Sequence, residues 1–130
     1  MPGSFSADVV PIFAKNCAVG GGTCHGDMPT LPYLGVPDGS VDPASILQKI
    51  VGVRSAEDPA MDFVAPGDPG QSYLMHKIDG DACTLAADCA KSAYPELAQC
   101  GAPMPFEAAM LPAATRDVVR AWIAQGAQND

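Results

Sequence analysis

The chain has 130 residues, near the common size for a single domain with one core. Alanine is the commonest residue in its 48% hydrophobic content, with only four Phe, three Tyr and one Trp beside thirteen Gly and thirteen Pro; so thin a core calls for disulfides or a cofactor to complete it. Seven basic against fifteen acidic residues give a net charge of −8, which disfavours nucleic acid and anionic lipid as partners and suits a partner with a basic surface.

No apolar run approaches the roughly 18 residues that span a bilayer. Met1-Pro2-Gly3-Ser4 reads as a start joined to a mature chain, so residues 1–5 are expected to be an N-terminal segment and 128–130 a tail, with one domain over 6–127. Five cysteines in a small acidic domain favour an oxidising compartment, periplasmic or extracellular.

In chain order, Ser6 predicts the cap of a helix over 7–16, with Val9, Ile12 and Phe13 at helical spacing and Pro11 near its first turn. Residues 26–42 carry three prolines and several glycines and read as a long loop, which a flat apolar ligand would justify. Asp42-Pro43 starts a helix to about residue 50, with Ala44, Ile46, Leu47 and Ile50 on its buried side. After a second irregular stretch, Pro66-Gly67-Asp68-Pro69 marks a turn and a helix over 69–78 that Gly80 stops. A short helix is expected over 85–93 with Thr84 as cap. Prolines on both sides hold Met104 extended. The clearest helix runs over 112–125, with Val118, Val119, Trp122 and Ile123 on its apolar face. There is no strand signal above background.

The chemistry gathers at Cys17-Ala18-Val19-Gly20-Gly21-Gly22-Thr23-Cys24-His25-Gly26. Two cysteines followed directly by histidine form the ending of a c-type haem attachment site, although the usual spacer is two residues and here it is six. The residues alone leave alternatives open. Three glycines make the spacer pliable enough for haem attachment or for a disulfide between Cys17 and Cys24, and zinc lacks a second Cys/His pair. Among Cys83, Cys89 and Cys100, one disulfide leaves a cysteine over, and the pairing is not readable from sequence.

The chain resembles the class I c-type cytochrome domains. The resemblance rests on residues 9–17, Cys24-His25-Gly26, Pro66-Gly67-Asp68-Pro69, Ser72-Tyr73-Leu74, Met104-Pro105 and Val119-Arg120-Ala121-Trp122-Ile123, and spans about residues 6–127. It implies an all-α, cytochrome c-like fold of four to five short helices joined by long Pro/Gly-rich loops around one haem. The first and last helices would cross, with Phe13 near Trp122. It further implies one covalent haem c on Cys17 and Cys24, with His25 and Met104 as axial iron ligands.

His76 is the rival distal ligand. Met28 stands three residues past His25, within about 10 Å even when extended, too little to reach the opposite face of a macrocycle. The expected function is one-electron transfer to a redox partner protein by a monomeric bacterial carrier, not an enzyme, since no acid–base pair stands at recognisable spacing. The alternative is a haem-free cytochrome c-like module held by disulfides, with a binding or structural role.

Overall fold

A computed structural model describes residues 4–17, 34–35, 42–55, 58–91, 104 and 109–130. Helices are the main regular elements among the described residues, with isolated bridges but no strand. A π-helical turn at Phe5–Val9 leads into α1 (Val10–Asn16); α2 is Pro43–Ile50, α3 Tyr73–Asp79, α4 Ala86–Cys89 and α5 Ala113–Ala124. Short 3₁₀ turns at Pro69–Gln71 and Ala82–Leu85 precede α3 and α4.

The first helix starts earlier than the Ser6 cap predicts. Ser4 Oγ accepts from the Ala7 amide at 3.2 Å while Asp8 Oδ2 accepts from the Ser4 amide at 2.8 Å, a reciprocal arrangement of the capping-box kind. The Val10 amide reaches five residues back to Phe5. This wider turn stands just before Pro11, which has no N–H to donate.

Other elements follow the local chemistry closely. Asp42 caps α2 through Oδ1 and the Ala44 amide at 3.1 Å, and Pro43 supplies the first helical residue. Between α2 and α3, the Asp68 amide donates to the Ala65 carbonyl at 3.0 Å and Gly67 has φ of 82°, as a tight Pro-Gly turn requires. The Gly67 amide also donates to the Ile123 carbonyl at 2.8 Å, pinning this turn to the end of α5. Gly80 closes α3 in the left-handed conformation at φ 75°. Thr84 lies inside a 3₁₀ turn and does not cap a longer helix there.

The main core joins Phe5, Val9 and Phe13 with Leu34, Ile46, Ile50, Val64, Leu74, Met75, Val119, Trp122 and Ile123. A smaller cluster beneath α3 and α4 holds Met61, Tyr73, Ala82 and Cys89. Trp122 meets the N-terminal turn through Phe5, whose ring also stands edge-on to Phe13 at 6.3 Å. Its indole N–H donates to the Gln128 carbonyl at 2.9 Å, and Asp130 takes bonds from Ser4, Phe5 and Ser6. Among the described residues no helix is long and apolar enough to cross a membrane.

Candidate functional site

Cys17 ends α1, its amide donating to the Phe13 carbonyl at 2.8 Å. The residue is 8% exposed and belongs to the main core. The apolar spacing of α1 therefore places a thiol-bearing residue inward at the helix end. Leu34, at 2% exposure, belongs to the same core. Cys24 and His25, which stand between these two anchors in sequence, lie outside the described residues, as do Met28 and Cys100.

Met104 is half-buried, and its amide donates to the Lys77 carbonyl at 3.0 Å. This bond fastens the stretch bearing Met104 to α3. Among the other methionines, Met75 fills the main core and Met61 the smaller one, while Met110 is 54% exposed.

His76 has both ring nitrogens engaged. Nδ1 lies 2.8 Å from Asp81 Oδ1 and Nε2 lies 2.9 Å from the Gly70 carbonyl oxygen. Both partners are acceptors, so satisfying both requires two N–H groups and hence the imidazolium. Burial opposes that charge, but the Gly70 and Asp81 hydrogen bonds outweigh it and raise the His76 pKa above its ordinary value. Neither nitrogen presents a lone pair in this arrangement.

Asp79, at the end of the same helix, sits between two arginines of α5. Arg116 Nη1 reaches Oδ1 at 2.8 Å, and Arg120 grips both oxygens at 2.9 and 3.0 Å. Burial works against the carboxylate, but the arginine bonds prevail and lower its pKa. The sequence reading did not single out this clamp; the i, i+4 spacing of Arg116 and Arg120 was the available signal.

Cys89 is disulfide-bonded and Cys83 is an exposed free thiol. Among the described residues, no three His, Cys, Asp or Glu side chains gather as a metal ion would require. No family model, curated protein or solved structure matches the chain.

Proposed function

We propose that this chain is a one-electron carrier that binds one haem c, with Cys17 and Cys24 forming the thioether bonds and His25 and Met104 supplying the axial ligands. The observation that carries the reading is the burial of Cys17 at the end of α1, in one apolar core with Leu34, with the Cys-His pair between them in sequence. A thiol, a thioether and an imidazole from this set match the donor chemistry of a c-type haem. The thiol is delivered into apolar surroundings, as a hydrophobic macrocycle needs.

Met104 is preferred over His76 because each His76 nitrogen already serves a protein acceptor, whereas the Met104 backbone is held by α3 and leaves its sulfur uncommitted to the main-chain tie. When bound, a haem supplies a ferric/ferrous couple whose potential a methionine ligand raises. With His25 and Met104 both ligating, the protein would fill both axial positions and leave none for an exogenous ligand. That is the arrangement of a carrier and not of an enzyme. The acidic surface suits a redox partner with a basic face.

The test is expression in cells competent to mature c-type cytochromes, followed by absorption spectroscopy and intact mass. A Soret band that survives denaturation and acid extraction, with the mass of one haem added, supports the reading. Cys17→Ala together with Cys24→Ala should abolish both. A colourless product of unmodified mass overturns it and leaves the haem-free module.

A further inference from the structure

Asp58 is a completely buried carboxyl residue in the loop between α2 and α3. Its Oδ1 accepts from the Ala60 amide at 2.9 Å, its own amide donates to Ser55 Oγ at 3.2 Å, and its carbonyl accepts from Met61 at 3.1 Å. Oδ2 has no hydrogen-bond partner among the described residues. Among the described residues, Arg54 from its own loop, His76 from α3 and Asp88 from α4 act on it by charge. Arg54 is largely exposed and directs Nε toward Asp62 at 3.6 Å, while His76 is spent on Asp81 and Gly70. A buried carboxylate with one bare oxygen and no contacting cation is strongly unfavourable, whereas the neutral acid is tolerated.

We propose that Asp58 is the proton-sensing element of this loop, closing the loop tip when neutral and releasing it when ionised. Burial raises its carboxyl above the usual aspartate range, Asp88 adds to that, and the Ala60 amide, His76 and Arg54 draw it partly back. The closed tip therefore binds a proton that the open tip gives up to solvent, and rising pH favours opening.

The base of the loop stays fastened. The Gly52 amide donates to the Val64 carbonyl at 3.0 Å and the Val64 amide to the Ile50 carbonyl at 3.1 Å, Phe63 donates to Val53 at 2.7 Å, and the Tyr73 and Leu74 amides donate to Asp62 and Phe63 at 2.9 and 3.0 Å. Opening is thus confined to the turn at 58–61, and it must break the 2.9 Å bond from the Ser55 amide to the Met61 carbonyl. It would expose Met61, which the closed tip keeps 6% accessible.

Hydrogen exchange on the full chain, corrected for intrinsic pH dependence, tests the proposal. Protection at the Ala60 and Met61 amides is expected to fall between about pH 4.5 and about pH 8, while Phe63 and Leu74 hold. Asp58→Asn, which keeps the shape of the neutral acid, should remain protected at both values. PH-independent protection in the wild type, or an equal fall in the variant, overturns the proposal. A second measurement needs no variant: the Asp58 carboxyl carbon, followed by NMR, should titrate above the ordinary aspartate value of 3.8. Titration at or below that value overturns it equally.

Discussion

The Phe5 ring lies against the Trp122 indole, with centroids 4.7 Å apart and planes tilted by 33°. Both side chains are fully buried, so this pair ties the first turn of the chain to its last helix. A chain with eight aromatic residues puts a large share of its apolar area into one such contact. Phe5→Ala is expected to cost about 3–5 kcal/mol, and Phe5→Leu about 1.5 kcal/mol or less. Urea unfolding checks both, and equal losses would show that the aromatic contact itself, and not the apolar area a leucine restores, carries the stabilisation.

Asp79 makes the other long-range tie, joining α3 to α5 through Arg116 and Arg120. Asp79→Ala should destabilise by about 2 kcal/mol, below the range for fully buried pairs because Arg120 is partly exposed. The Asp79 pKa is lowered on folding. Its contribution is therefore complete above the ordinary value of 3.8 and is lost as pH falls through the lower folded value. Acid unfolding of the variant should show a correspondingly smaller dependence on pH below about 4.

His76 has the opposite sign. Its pKa is raised on folding from 6.5, so its stabilisation is complete below that value and lost as pH rises through the folded one. His76→Ala should cost about 1–3 kcal/mol at acidic pH and less in alkaline solution. The spectrum and potential of the haem-loaded protein should stay unchanged. An altered Soret band in this variant would make His76 a ligand and not a clasp.

Met104→Ala should open the iron to carbon monoxide, and Met104→His should lower the potential on the order of 0.2 V within the ~0.8 V that axial ligands span. Carbon monoxide titration and potentiometry measure the two effects. If neither variant responds, the distal assignment fails while the Cys17 and Cys24 attachment can still stand.

Gly80→Ala should cost about 1–2 kcal/mol. The position has φ of 75°, and an added Cβ would meet Met110 Cε at 3.0 Å. Met110→Ala alongside should relieve the contact but not the backbone strain, leaving most of the loss in a thermal melt.

Local chemistry was sufficient to read much of the helical framework. Asp42-Pro43 marks the start of α2, Pro66-Gly67 the turn before α3, Gly80 its end, and the Val119, Trp122 and Ile123 spacing the buried face of α5. These signals act within a turn or two of chain, through caps, fixed dihedrals and helical periodicity, so the sequence contains them whole. The identities of the candidate ligands are equally local, because Cys24-His25 is a contiguous motif. What only the tertiary structure decided depends on chain path. Phe5 and not Phe13 stacks on Trp122, Asp79 takes two arginines from α5, the ring of His76 is consumed by Gly70 and Asp81, and Asp58 is buried with a bare oxygen. Phe5 with Trp122 and Asp79 with its arginines are meetings across the fold, and such side-chain partners are set by how the helices pack against one another.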